Sequence, residues 1–237
     1  MKRILLALMV LAASCSCTFN INVGNGKRVV CKGPEVEQSL DLKDFSSICI
    51  NGSSDLVLSQ ADSFCVKVKA NEEVFQYLNF HVEDGTLVLE NKDNVQIVAK
   101  TFKVYVSLPC LENLIVNGAA DAQLSNYRSD KELTVKVNGA GDFDLSHISV
   151  PAFSVTVNGA GDLEVEDIQT NTVSMSVNGA GDVTLSGKTD TANLSVSGAG
   201  DIDASELEAR EWNTRKAGIA SIKTSKKNYS SLVKHKY

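Results

Sequence analysis

The sequence has 237 residues, of which 43% are hydrophobic and 6% aromatic, and its 29 acidic and 23 basic side chains give a net charge of −6. The acidic balance and the lack of a basic stripe exclude a surface built to bind nucleic acid, so no nucleic-acid partner is predicted. The length fits one all-β domain.

The first fourteen residues have the pattern of a signal peptide. Lys2 and Arg3 form a positive start, and an apolar run of 10 residues from Ile4 to Ala13 follows. This run is too short to span a bilayer, which needs about 20 apolar residues. Residues 1–14 are therefore predicted to be a lipoprotein signal peptide.

The segment around Cys15 resembles the lipobox of bacterial lipoproteins, in which small residues precede an acylated cysteine. The resemblance implies that Cys15 becomes the lipid-modified N-terminus and holds the chain at a membrane through its acyl groups. Cys17 is an alternative acylation site, and secretion without acylation is a further alternative. Because Ser16 is not acidic, the resemblance favours the outer membrane of the cell envelope, with the periplasmic and the surface face both left open.

The other cysteines and the histidines give no metal-binding pattern. No C-x-x-C spacing occurs, and the three histidines lie far apart in the sequence, so neither a zinc site nor any cofactor is predicted. Cys49 and Cys65 fall in strand-like stretches, where a buried free thiol is the expectation.

Residues 15–44 are predicted to be a tether and an N-terminal lead-in, and a repetitive region follows them. A short phrase of the form "NGAGD" recurs about every 20 residues. Its copies open at Asn51, Asn117, Asn138, Asn158, Asn178, Ser197 and, in decayed form, Ala217. A constant period of this length is typical of a solenoid. Residues 71–78 interrupt the pattern and are predicted to form a short helix outside the stack.

Apolar residues alternate with polar ones on both sides of each phrase, as in half-buried strands. Val155 and Val157 precede Asn158, for example, and Leu163 and Val165 follow it. Identical phrases at fixed spacing favour parallel pairing of each strand with its own copy, about 4.8 Å away, over local hairpins. One coil cannot bury its apolar face alone, but a stack of coils can. The sequence therefore predicts an all-β fold, a single-chain parallel β-helix with coils of about 20 residues over residues 45–224.

Each phrase is predicted to form a tight corner. The first glycine of the phrase recurs because the corner needs a positive φ or a missing Cβ. These glycines are Gly118, Gly139, Gly159, Gly179 and Gly198. The alanine that follows each of them is expected to suit a corner too cramped for a larger side chain. The asparagines are expected to form a ladder of side-chain amides from coil to coil.

The segments "FSSICINGSSDLVLSQ" and "VYVSLPCLENLIVNGAAD" and the serial "VNGAGD" together resemble the head GIN domain family of auto-transporter adhesins, over roughly residues 45–224. The resemblance implies a right-handed parallel β-helix on an envelope protein and brings no catalytic residues. The repeats decay after Asp201, and residues 225–237 are predicted to be a polar, Lys-rich tail.

An aspartate ends each phrase, and these aspartates are the strongest candidates for ion chemistry. The column comprises Asp121, Asp142, Asp162, Asp182 and Asp201, with Asp55 in the early copy. Carboxylates stacked about 5 Å apart repel by roughly 1 kcal/mol per pair in water, so something should offset the repulsion. Calcium bound along the column is one explanation. The favoured one is that each carboxylate accepts N–H groups of its own corner, so no metal is predicted.

The function predicted from the sequence is that of a non-catalytic envelope module, adhesin-like or scaffolding, with a glycan or an envelope protein as its partner. A carbohydrate-active β-helix enzyme, a polysaccharide lyase or hydrolase, is the alternative. Against it, the aspartate recurs in every copy as a structural corner would, and the sequence has no G-x-S-x-G, P-loop or H-E-x-x-H motif. A catalytic groove should break the repeat with unmatched polar residues, for which Arg128, Arg210 and Arg215 are the candidates.

Overall fold

The computed structural model describes residues 27–92 and 95–225. The predicted signal peptide, Cys15, Cys17 and all of the predicted tail except Ser225 lie outside the described residues. The strands are β1 Lys27–Cys31, β2 Glu35–Leu40, β3 Ser47–Gly52, β4 Asp55–Gln60, β5 Cys65–Asn71, β6 His81–Glu83, β7 Thr86–Glu90, β8 Val95–Ala99, β9 Phe102–Leu108, β10 Asn113–Ala119, β11 Ala122–Arg128, β12 Leu133–Ala140, β13 Phe143–Ser149, β14 Ala152–Ala160, β15 Leu163–Gly179, β16 Val183–Gly198, β17 Asp201–Gly218 and β18 Ser221–Thr224.

The strands wind into a β-solenoid of about six turns. Wall A contains the strands that lead into the Asn-Gly corners, stacked in the order β7, β3, β10, β12, β14 and then the second halves of β15, β16 and β17. Wall B contains the strands that leave the corners, in the order β9, β4, β11, β13, the first halves of β15, β16 and β17, and β18. All of these pairs are parallel. The predicted parallel β-helix with 20-residue coils is confirmed.

The register follows the repeat residue for residue. Asn138 pairs with Asn117 below it and with Asn158 above it, and Gly139 lies between Gly118 and Gly159 in the same way. A shift by one residue would turn the apolar side chains of a strand outward, so the alternating pattern holds the register.

The core is one continuous stack of apolar columns inside the walls. A wall A column consists of Leu114, Val135, Val155, Met175 and Leu194, and a wall B column of Leu124, Leu145, Val165 and Leu185. All of these side chains are buried. Because each coil covers the next, the apolar side chains are excluded from water by the stack itself, and no outer layer of helices or strands is needed.

At the N-terminal end, some strands do not pair in parallel with equivalent strands of other coils. Strand β5 pairs antiparallel with both β2 and β9, and β6 pairs antiparallel with β7. The predicted parallel pairing within residues 45–224 therefore does not extend to β5 and β6, which contain no copy of the phrase, and a hairpin through Asp84 and Gly85 joins β6 to β7. Both residues have positive φ, as an Asp-Gly hairpin turn requires.

Several N-terminal residues cover the first coils. The predicted short helix is present as a 3₁₀-helix, Glu72–Tyr77, which buries Val74 against the core. The lead-in contributes β2 at the edge of wall B and β1, which pairs with β8 in a separate two-stranded sheet. Residues 27–44 are thus partly built into the domain rather than serving only as a tether.

At the C-terminal end the core columns turn polar. Thr214 and Lys216 pair with the buried Leu194 and Val196 of the coil below, but both are exposed. Trp212 is half-buried and packs against the core. Charged and polar residues at an open strand edge oppose pairing with another chain.

Cys49 and Cys65 lie in strands but are only half-buried, because Ile48, Ile50 and Val66 occupy the inward positions. The expected burial of these two thiols is therefore wrong.

Within the described residues, no helix has the length and hydrophobicity needed to cross a bilayer.

Candidate functional site

The first glycine of each corner is required for two reasons. Gly159 has φ of +149°, and a Cβ added to it would collide with the carbonyl oxygen of Gly139 in the coil below. Gly139 and Gly179 meet the coil below them in the same way. An L-residue is strained in this conformation, and the stacked backbones leave no room for a side chain.

The second glycine of the phrase, which the sequence analysis did not single out, is cramped as well. A Cβ on Gly141 would collide with the carbonyl oxygen of Ala120, and one on Gly181 with that of Gly161. The alanines that follow the first glycine are Ala119, Ala140, Ala160, Ala180 and Ala199, and all of them are exposed. The expectation that a cramped corner selects alanine there is wrong: the side chain points to solvent.

The asparagines of the corner form a ladder of side-chain amides. Asn117 Nδ2 donates to Asn51 Oδ1 over 2.9 Å, and Asn138 Nδ2 to Asn117 Oδ1 over 2.9 Å. The same bond links Asn158 to Asn138 and, over 3.0 Å, Asn178 to Asn158. Each amide inside the ladder therefore both donates and accepts, which ties five coils together along one edge of wall A.

The aspartate column makes contacts of a different kind from those expected. Asp121 Oδ1 accepts the backbone N–H of Asp142 over 2.9 Å, and Asp182 Oδ1 accepts that of Asp201 over 3.1 Å. The expectation that each carboxylate bonds to its own corner is wrong in this respect, because the N–H belongs to the coil above. Such a charge-assisted hydrogen bond between a carboxylate and a backbone N–H offsets the repulsion between neighbouring aspartates.

Within residues 27–92 and 95–225, no group of three or more His, Cys, Asp or Glu side chains has the arrangement of a metal site. The aspartates expected to matter for calcium lie in a single column, one carboxylate per coil. Calcium takes six to eight oxygen ligands, which a single column does not assemble at one point.

A charged groove breaks the repeat where wall B ends. Asn126, His147 and Asp167 occupy equivalent positions in successive coils and all have positive φ, between 51° and 58°. His147 Nε2 lies 4.0 Å from Asp167 Oδ2, and both side chains are more than half exposed. Asn, Asp and His tolerate this conformation better than most residues, which is the signal that sequence reasoning missed.

The same groove contains one of the three candidate arginines. Arg128 lines a cavity of about 340 Å³ together with His147 and Asp167, and an adjoining cavity of about 640 Å³ extends along Lys188 and Asp190. Arg210 forms an ion pair with Asp190 over 3.1 Å in the next coil. Arg215 lies elsewhere, on the face of wall A.

Tyr127, beside this groove, has a structural role. Its hydroxyl donates to the Leu111 carbonyl over 2.8 Å and accepts the Leu111 N–H over 2.9 Å. Burial raises the pKa of this phenol to about 12, so it stays neutral at physiological pH. It fastens the loop before β10 to the core and offers no acid or base to the groove.

The outer side of wall A forms an even polar surface, here called the wall A face. It consists of the corner column Asn117, Asn138, Asn158, Asn178, Ser197 and Ala217 and of two more outward columns from β10 to β17. One is Asn113, Thr134, Ser154, Ser174, Asn193 and Asn213, and the other is Ile115, Lys136, Thr156, Ser176, Ser195 and Arg215. The serine and threonine side chains in the middle coils are short, so the face contains a trough of about 510 Å³ that ends at Arg215.

A fourth cavity lies between β8 and the corners. It has a volume of about 660 Å³ and is lined on one side by Ile97 and Phe102 and on the other by exposed corner alanines such as Ala119 and Ala140. Carboxylates of the aspartate column and Lys100 form its rim.

Comparison with solved structures identifies the fold in other proteins. A protein described as a "putative lipid binding protein" from Parabacteroides distasonis superimposes with a TM-score of 0.72 at 20% identity, covering 84% of this chain and 100% of its own. A "putative adhesin" from Bacteroides fragilis gives a TM-score of 0.68 at 18% identity, covering 83% and 99%. A second "putative adhesin" from Parabacteroides distasonis gives 0.70 at 19% identity, covering 83% and 84%.

These structural likenesses, all below 25% identity, show a shared solenoid fold. No curated protein matches the chain. A family model, described as "Putative auto-transporter adhesin, head GIN domain", matches residues 44–231, which include every Asn-Gly corner. The chain therefore belongs to the head GIN domain family.

Proposed function

We propose that the protein is a non-catalytic adhesive module of the bacterial cell envelope, held at the outer membrane by a lipid on Cys15 and binding its partner through the wall A face. Membership in a family of adhesins supports a role in binding at the envelope or cell surface. The observation that carries the proposal is the wall A face itself. It is a rigid, regular surface of hydroxyl and amide groups that runs over six coils.

Rigidity favours such a surface as a binding site. The corner glycines, the asparagine ladder and the hydrogen bonds of the aspartate column fix the coils to one another, so the outward side chains keep their spacing without ordering on binding. A pre-ordered surface loses less conformational freedom when it meets a partner. The lipid anchor would then hold this surface at the membrane.

Adhesion of bacteria that produce the wild-type chain or a Cys15→Ser variant tests the proposal. We expect the variant to move from the membrane to the soluble fraction, to lose labelling by a fatty-acid analogue, and to stop supporting adhesion to envelope or glycan-coated surfaces. Cys17→Ser is the matched control and should keep all three properties. An acylated, membrane-bound wild-type chain that supports no adhesion would contradict the adhesive role.

A carbohydrate-active enzyme is the second candidate, and the charged groove is the observation that favours it. His147 and Asp167 could exchange a proton with a bound sugar there, with Arg128 nearby. A screen for new reducing or unsaturated ends in acidic and neutral polysaccharides tests this function. We expect no cleavage. Cleavage that is lost in His147→Ala but kept in His81→Ala would establish the enzyme.

A further inference from the structure

The charge of the chain is distributed unevenly between the two walls. The wall A face has no Asp or Glu among its described residues and carries two cations, Lys136 and Arg215. Wall B presents Asp144, Glu164 and Asp203 at outward positions in addition to the aspartate column. In a chain with 29 acidic residues, a face without acids attracts negatively charged partners while the rest of the surface repels them.

The two cations lie in one column of the wall A face. Arg215 lines one end of the trough, and Lys136 lies one coil beyond the other end, next to Thr156. Lys136, Thr156, Ser176, Ser195 and Arg215 pair in register over successive coils. Four steps of about 4.8 Å separate the first from the last, roughly 19 Å. Both cations are exposed, and neither forms an ion pair within the part of the chain that the structure describes.

Acidic residues of wall A lie at the margins of this face. Glu132 and Glu211 flank it on the side away from the asparagine ladder, and both are exposed, while Glu90 pairs with Asn51 at the N-terminal end of the ladder. Neither lies in the trough, whose side walls are hydroxyl and amide groups with Arg215 at one end. Among the described residues, the trough thus has a cation at one end and no carboxylate in its lining.

The chemistry of the trough restricts its ligand. Serine and threonine hydroxyls and asparagine amides both donate and accept hydrogen bonds, so they suit a partner covered with hydroxyls. The wall A face has no aromatic side chain among its described residues, so stacking on a sugar ring cannot supply the recognition. The repeat of identical groups along the axis suits a ligand that is itself a repeating, extended polymer.

We propose that the wall A face binds an extended acidic polysaccharide, which lies along the solenoid axis with about one sugar per coil and places carboxylates at Lys136 and Arg215. This inference rests on the proposed adhesive function and names its ligand class. The rise per unit of an extended polysaccharide is close to the coil spacing, so successive sugars meet equivalent hydroxyls. A guanidinium binds a carboxylate through two parallel hydrogen bonds, and a lysine acts as a point charge.

The test is direct binding of the full chain, purified from membranes in detergent, to oligogalacturonate and to the same oligomer with its carboxylates methyl-esterified. We expect the acidic oligomer to bind and the ester to bind at least about tenfold more weakly. Binding should weaken steeply with added salt, because the contacts are between exposed charges. Arg215→Gln should weaken binding about tenfold. Lys223→Gln, which removes a cation from wall B, should not.

Two matched variants test the location of the site. Ser176→Glu places a carboxylate in the middle of the trough, and Thr184→Glu places one in the same coil on wall B. Both positions face outward, so neither change touches the core, and thermal melting should confirm folding of both. We expect Ser176→Glu to abolish oligosaccharide binding and Thr184→Glu to leave it within about twofold of wild type.

Four outcomes would overturn the inference. They are equal binding of the acidic and the esterified oligomers, equal losses in the two glutamate variants, binding of anionic phospholipid vesicles through Arg215 without binding of oligosaccharide, and no binding of the acidic oligomer. Adhesion that continues alongside any of them would leave the proposed function standing and remove only this ligand class. Loss of adhesion in all variants of wall A and wall B alike would instead count against the proposed function.

Discussion

The corner glycines should be the least replaceable residues of the domain, and Gly159→Ala measures this. The new methyl group meets two penalties. The φ of +149° strains any L-residue, at about 1–3 kcal/mol, and the Cβ collides with the carbonyl oxygen of Gly139, which adds about 1–3 kcal/mol of overpacking. The expected total is about 4 kcal/mol, which lowers Tm by roughly 8–16 °C for a domain of this size.

Gly85→Ala is the matched control, because it separates strain from collision. Gly85 also has a positive φ, of +71°, but an added Cβ meets nothing within 4 Å. We expect about 1–3 kcal/mol, or roughly half the Tm shift of Gly159→Ala. The effect of each substitution on the entropy of the unfolded chain is common to both and cancels.

Thermal unfolding followed by far-UV circular dichroism, together with urea titration, gives the two free energies. Thr156→Ala, on the exposed side of the same strand, serves as a second reference and should stay within about 0.5 kcal/mol of wild type. Equal destabilisation by Gly159→Ala and Gly85→Ala would show that coils do not press on one another at the corners. A shift for Gly159→Ala as small as that for Thr156→Ala would refute the corner argument entirely.

Three further outcomes can be measured in the same way. Asn158→Ala removes an amide bonded on both sides and should cost about 1–2 kcal/mol, more than Asn178→Ala, which breaks one such ladder bond; equal costs would contradict the ladder. Addition of calcium or of a chelator should leave Tm unchanged, and a calcium-dependent rise would revive the ion column. Hydrogen bonds from Ser205 and then Lys223 lower the pKa of Asp203 from 3.8 to about 2. Because the folded pKa is the lower one, this stabilisation is present above about pH 4 and is lost as the pH falls towards 2, so Asp203→Asn should lower Tm at pH 7 and not at pH 2.

The regular part of the fold could be predicted because three features of the sequence there favour the same structure. The period fixes the stacking partner, the alternation fixes which side faces the core, and the glycines fix the corner. Asn138 and its copies thus have one consistent solution. The antiparallel end could not be predicted in this way, because β5 and β6 have no copies whose spacing would identify their partners.

The corner details were missed for a geometric reason. Sequence alone shows that Ala140 and Gly141 recur, but not which of the two points into the stack. The backbone turns the alanine outward and presses the second glycine against the coil below. The partner of each aspartate was misassigned for a similar reason. An aspartate at this position can accept an N–H of its own corner or one of the next coil, and the sequence is the same in both cases.

The candidate surface was visible in the sequence only as a list of outward positions. Lys136 and Arg215 are far apart in the sequence, and only the register places them in one column, with Arg215 at the end of the trough and Lys136 one coil beyond its other end. The charged groove was harder to foresee, because His147 and Asp167 are brought together by a bend at positive φ that no glycine marks.

The direction of the wall hydrogen bonds bears on how this protein responds to tension. In both walls the strands lie across the solenoid axis, so the bonds between them run along it. A force that pulls the C-terminal end along this axis therefore acts on the hydrogen bonds of one coil at a time and detaches the coils in sequence. Each detached coil of 20 residues adds about 70 Å of extended chain, so a sudden force is absorbed in steps.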